Sequence, residues 1–77
     1  MQKYRYLGST NTDKFIIRGI NVYKYNWVME GNCVIVIDPV NKKPRSLSVY
    51  KIKIGEKYIS FISGNLSDGK VGFFEYD

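Results

Sequence analysis

The chain has no histidine and a single cysteine, Cys33, so chemistry built on imidazole or on paired thiols has nothing to start from. Imidazole alone titrates near neutrality when unperturbed, and nucleophile–base pairs and zinc sites commonly depend on it. Seven carboxylates remain: Asp13, Glu30, Asp38, Glu56, Asp68, Glu75 and Asp77. Most fall in expected turns or near the end of the sequence. No spacing between them holds two acids a few ångströms apart on a rigid element, as a glycosidase pair or a metal cage requires. They read as solvated surface groups. Cys33 opens the most apolar run of the chain and is expected to be a small core hydrophobe rather than a nucleophile. Neither a P-loop nor a dinucleotide-binding glycine motif occurs. The expectation is a protein without catalytic residues, metal or cofactor, and hence not an enzyme.

What the residue types do favour is binding. Twelve Lys and Arg stand against seven acids, a net charge of +5, beside seven tyrosines, four phenylalanines and one tryptophan. The charge is uneven. Residues 1–57 carry eleven basic groups against four acidic, or +7, whereas residues 58–77 carry one against three, or −2. Such a field can attract phosphates, acidic protein surfaces or an anionic membrane face. Its densest part is Lys42, Lys43, Arg45, Lys51, Lys53 and Lys57. On a strand Lys51 and Lys53 lie about 7 Å apart and could each meet a backbone phosphate. Tyr58 and Ser60 share a parity on the next strand, and Phe74 and Tyr76 share one on the last; facing outward, these side chains would set an aromatic platform beside the lysines, as single-strand binders use for stacking. Lys57-Tyr58-Ile59-Ser60-Phe61 followed by Asp68-Gly69-Lys70 is similar to the central hairpin of the small SH3-like proteins that coat crenarchaeal DNA. That resemblance implies a nucleic-acid-facing hairpin and does not extend to the rest of the chain.

The competing surface is aromatic. Tyr23, Tyr25 and Trp27 share one parity, opposite to Ile20 and Val22, so they would line an exposed stripe with Arg18 or Lys24 at its rim. Tyr and Trp bury a large area at little entropic cost, which suits a protein–protein contact. The alternative is that Trp27 folds back to plug one end of the core. The preferred expectation is a protein-binding adaptor, inhibitor or oligomer subunit, of the kind that accessory and mobile-element proteins include. Nucleic-acid binding through the basic set is the second.

These side chains must be carried by strands, since alternating apolar and polar positions recur between turn-forming clusters and no helical period is sustained. Gln2–Leu7 reads as a first strand and Gly8–Asp13 as a loop. Lys14–Val28 reads as a long strand in which Phe15 and Ile17 change parity with Ile20 and Val22, placing a bulge or a sharp barrel corner at Gly19. Glu30-Gly31-Asn32 is expected to turn, and Cys33–Ile37 to be a strand buried on both sides at the centre of the core. Asp38–Pro44 reads as a projecting loop and Arg45–Ile54 as a strand with a second bulge or bend near Val49 and Tyr50. Gly55-Glu56 suits a tight hairpin, Tyr58–Ser63 a strand, Ser67–Lys70 a turn and Val71–Tyr76 the last strand.

The expected architecture is one all-β domain over residues 1–77, a single antiparallel sheet of five or six strands curled into an SH3-like or related small barrel. An OB-like barrel is disfavoured by the lack of a helical segment. One cysteine permits no disulfide framework, so a chain this short must use its aromatics efficiently or gain burial by oligomerising. The first ten residues lack the apolar stretch of a signal peptide, and the longest apolar run, Cys33–Ile37, is too short to span a bilayer. A cytoplasmic protein is expected. Asn65-Leu66-Ser67 fits a glycosylation acceptor but matters only in a secreted chain.

Overall fold

A computed structural model describes residues 3–77. Gln2, with which the expected first strand begins, lies outside them. The described residues form β1 (Tyr4–Thr10), β2 (Ile16–Ile17), β3 (Ile20–Asn21), a 3-10 turn (Val22–Lys24), β4 (Val28–Ile37), β5 (Pro44–Ile54), β6 (Lys57–Asn65) and β7 (Val71–Tyr76). The chain is all-β. Five strands make one antiparallel sheet in the order β1-β7-β6-β5-β4, and β2 with β3 makes a separate small hairpin. β1 and β4 are the two edges and do not pair, so the sheet curls without closing into a barrel.

Segment 14–28 is not one strand. Arg18 and Gly19 both have positive φ, 51° and 79°, and Ile17 pairs with Ile20, which is the geometry of a two-residue type I′ hairpin. Gly19 is therefore a turn residue, not a bulge. The Asn21 side chain then accepts from the N–H groups of Phe15 and Tyr23, both at 3.2 Å, and caps the 3-10 turn. Local capping by Asn21 diverts a chain that apolar alternation alone would have kept extended.

Between β4 and β5 the register shifts by two residues from Met29 to Cys33. Glu30-Gly31-Asn32, expected to turn, is instead a bulge inside a continuous strand, three residues opposite Val49, with Gly31 at φ 86°. A second bulge falls at Leu7 in β1, between the pairs Tyr6–Phe74 and Gly8–Phe73. At the β5–β6 turn Gly55 has φ 62°, as a two-residue hairpin requires.

The sheet is apolar on both faces. Val36, Leu47, Val49, Ile62, Leu66 and Phe74 form one buried cluster, against which Tyr4 and Val34 pack. Ile17, Val22, Ile52, Phe61 and Phe73 form the other. The parity change in β5, buried at Leu47 and Val49 and again at Ile52, places successive side chains in the two clusters; the register with β6 is unbroken, so no bulge interrupts it there. The second face is covered by the segment between β1 and β4: Phe15 stacks on Phe73 with ring centres 4.1 Å apart, and Trp27 meets Phe61 edge-on at 4.9 Å. The first face is covered by Leu66 from the β6–β7 turn and by the curl of the sheet. Gly64 and Gly72 lie beneath Leu47 and Leu66, where an added Cβ would come within 2.6 and 2.7 Å of those side chains.

Two carboxylates expected at the surface are buried. Asp38 is fully enclosed: it accepts from Val40 N–H (2.8 Å), Ser67 N–H (2.9 Å) and Arg45 Nε (2.9 Å), joining the β4–β5 loop to the β6–β7 turn. Burial alone would raise its pKa; the hydrogen bonds together outweigh that and hold it at about 2 rather than 3.8. Glu75 accepts from Arg5 and Arg18, the latter at 3.2 Å, which ties the β2–β3 hairpin to β7. Hydrogen bonding to Glu75, with its charge attraction second, raises the Arg5 pKa above the ordinary guanidinium value.

Candidate interaction surface

Cys33–Ile37 was expected at the centre of the core and lies at the edge of the sheet instead. Val36 is buried, but Ile35 is 60% exposed, Ile37 is 39% exposed and Cys33 is exposed. The run is apolar on both sides because one side enters the core and the other meets solvent. Sequence patterning does not separate that case from a central strand, since both give an unbroken apolar string.

The direction of the free backbone groups follows from the ladder. Asp38 N–H donates to Lys43 C=O at 2.9 Å, continuing the β4–β5 register. Antiparallel pairs alternate between hydrogen-bonded and non-bonded, so Val36 and Val34 bond to β5 while Ile37, Ile35 and Cys33 do not. Pro44, opposite Ile37, has no N–H to give and fits the non-bonded site. The N–H and C=O groups of Cys33, Ile35 and Ile37 therefore point to the open side of β4.

Beside this edge runs a groove of about 570 Å³ lined by Lys3, Tyr4, Phe74 and residues Cys33–Ile37. Its floor is apolar: Tyr4, Phe74, Val34 and Val36 all belong to the first core cluster or pack on it. The opposite edge, β1, carries Arg5 and the bulge at Leu7, with Lys3 just before it, devices that discourage strand addition. β4 has none of them between Cys33 and Ile37. The bulge at Glu30–Asn32 bounds the free stretch on one side and buried Asp38 with Pro39 on the other.

The aromatic stripe does not assemble as one surface. The 3-10 turn breaks the alternation on which it rested, and Trp27 plugs the second core cluster, its Nε1 donating to Val22 C=O at 2.9 Å. Tyr23 packs on Trp27 and Phe73, and burial, followed by the charge of Asp13, raises its phenol pKa above 10.0. Tyr25 and Lys24 stay exposed and line a separate depression with Lys14, Ile16 and Ile20. Arg18 is engaged with Glu75 rather than set at the rim of an aromatic patch.

The basic set divides in two. Lys42 and Lys43 lie in the exposed β4–β5 loop, and Arg45 is bound to Asp38. Lys51 and Lys53 stand six and eight residues beyond Arg45 on β5, about 20 Å or more away at roughly 3.3 Å per residue. There Lys53 pairs across to Tyr58, and the Lys51 Nζ lies 4.9 Å from the centre of the Tyr58 ring. Lys57 pairs with Ile54 and so takes the other face. Half-buried Lys51 and exposed Lys53 and Tyr58 thus share a corner; Lys42, Lys43, Arg45 and Lys57 do not join it.

No helix of the described residues is long and apolar enough to cross a membrane, and no group of three His, Cys, Asp or Glu side chains among them is placed to hold a metal ion. No protein family, curated protein or solved structure matches the chain.

Proposed function

We propose that the protein is a non-catalytic binding module acting by protein–protein contact, and that it takes an extended segment onto the free edge of β4. The observation that carries this reading is the contrast between the two sheet edges: β1 is guarded by basic residues and a bulge, whereas β4 offers five residues without charge or proline beside an apolar groove. Strand addition draws affinity from backbone hydrogen bonds and selectivity from alternate side chains, and both are on offer here. We place the scaffold as an open relative of the small SH3-like barrels, with the seam that closure would seal left for a ligand. A cytoplasmic setting fits, since an exposed lone thiol such as Cys33 stays reduced there.

The test compares proteins retained by immobilised wild type and by Ile35→Lys. A set held by wild type and lost from the variant supports the reading; identical sets overturn the assignment to β4. Nucleic-acid binding is the second reading, favoured by the Lys51, Lys53 and Tyr58 corner. Oligonucleotide affinity that falls steeply with salt, with a shallower slope in a Lys51→Ala, Lys53→Ala double variant, would move the function there.

A further inference from the structure

We infer that the segment added to β4 is β4 of a second copy of this chain, so that two five-stranded sheets join edge to edge about a two-fold axis at Ile35. This rests on the reading of β4 as the binding edge and names its occupant. The free stretch Cys33–Ile37 has Ile35 at its midpoint, bounded by the bulge on one side and by Asp38 on the other. An antiparallel strand centred there sets Ile35 opposite Ile35 of the partner subunit and Cys33 opposite Ile37 of the partner subunit.

All three residues are in the phase whose N–H and C=O point outward, so each pair exchanges both backbone hydrogen bonds. Any other centre would shorten the ladder that the bulge and Asp38 bound. The stretch is its own complement, as a two-fold interface requires. The exposed side chains of Ile35 and Ile37 would pack against their counterparts across the axis, covering apolar surface that faces water in the single chain.

Sedimentation over a wide concentration range tests this. Wild type should approach twice the 9.0 kDa of one chain, and Ile35→Lys should remain at 9.0 kDa. Ile35 is largely exposed, so the variant should keep the wild-type circular dichroism; Ile35→Thr provides a milder second variant. A Cys33→Ser, Ile35→Cys variant places the two thiols directly opposite at about 5.5 Å between Cα atoms, within disulfide reach, and should give a covalent dimer on mild oxidation. Wild-type Cys33 residues would lie about 13 Å apart along the paired strands and should not cross-link. Wild type that stays at the mass of one chain up to about 1 mM, with no covalent dimer in the double variant, overturns the second copy. If retention of another protein still depends on Ile35 in that case, the binding reading stands with a different occupant. Loss of both overturns both.

Discussion

Gly72→Ala gives a sharp test because its sign is opposite to what backbone preference alone predicts. Gly72 does not have positive φ, so alanine fits its backbone, and Gly→Ala inside a strand ordinarily stabilises by roughly 0.5–1 kcal/mol. Here the new Cβ would lie 2.7 Å from both Cδ1 and Cγ of Leu66 and 2.8 Å from Cδ2. Leu66 is buried in the β6–β7 turn and cannot swing aside without opening the first core cluster. Overpacking of this kind costs about 1–3 kcal/mol, which cancels the backbone gain and leaves a net loss of up to about 2.5 kcal/mol. Thermal unfolding should show a fall in Tm on the order of 10 °C for a chain of this size. At Gly64 the closest contact is only Cδ2, the far end of Leu47, so Gly64→Ala should cost less. Leu66→Ala alone should cost about 2–5 kcal/mol through its cavity, but in that background Gly72→Ala should become neutral or stabilising. A double-mutant cycle in urea reads the difference. Additive effects, or a Gly72→Ala variant more stable than wild type, would refute Leu66 as the lid on that face.

Asp38 makes stability depend on acid. Its carboxyl has a pKa of about 2 in the fold against an ordinary 3.8, so its contribution is complete above about pH 4 and disappears as pH falls to about 2. Asp38→Asn should flatten the stability profile in that window, and an unchanged profile would remove Asp38 as the cause. Trp27→Phe should cost about 1 kcal/mol for the lost bond to Val22 C=O, plus any packing deficit, read by urea unfolding; an unaltered midpoint would contradict the plug role. Cys33 should react with a thiol reagent in the folded protein without prior unfolding, and more slowly as concentration rises and β4 becomes covered. A thiol that reacts only in denaturant would show that the edge is closed.

Much of the sheet is legible in the residues. The strands around Val49, Phe61 and Phe73 and the turns at Gly55 and Ser67–Lys70 follow from local alternation and turn chemistry, which act over a few positions. Segment 14–28 does not, because Asn21 bonds Phe15 and Tyr23 and replaces an extended backbone with a turn; a side-chain cap of this kind looks like any polar position in an alternation pattern. The edge at β4 is harder still. Cys33–Ile37 has the composition of a central strand, and its place depends on Tyr4 pairing with Tyr76 across nearly the whole chain, which puts β1 rather than β4 beside β7. Burial of Asp38 likewise requires Ser67 and Arg45 to meet it from other elements. The basic residues are close in sequence, but a strand carries successive positions apart, so closeness along the chain does not become a patch.

The consecutive pairs Phe61-Ile62 and Phe73-Phe74 have a kinetic consequence. Each pair sends one side chain into each core cluster, so a β6–β7 hairpin formed alone leaves apolar groups in water whichever face is covered first. Neither face can mature as a separate stage without the other exposed, which favours assembly in one cooperative step over a populated half-sealed intermediate. The same arrangement makes the 11–27 segment a guard against aggregation. A local opening there would uncover the rings of Phe61 and Phe73 while the sheet remained intact, presenting an aromatic face to neighbouring molecules. Bonds that hold that segment in place, such as Arg18 to Glu75 and Trp27 to Val22, therefore govern how long the folded protein survives at high concentration, even where their equilibrium contribution is small.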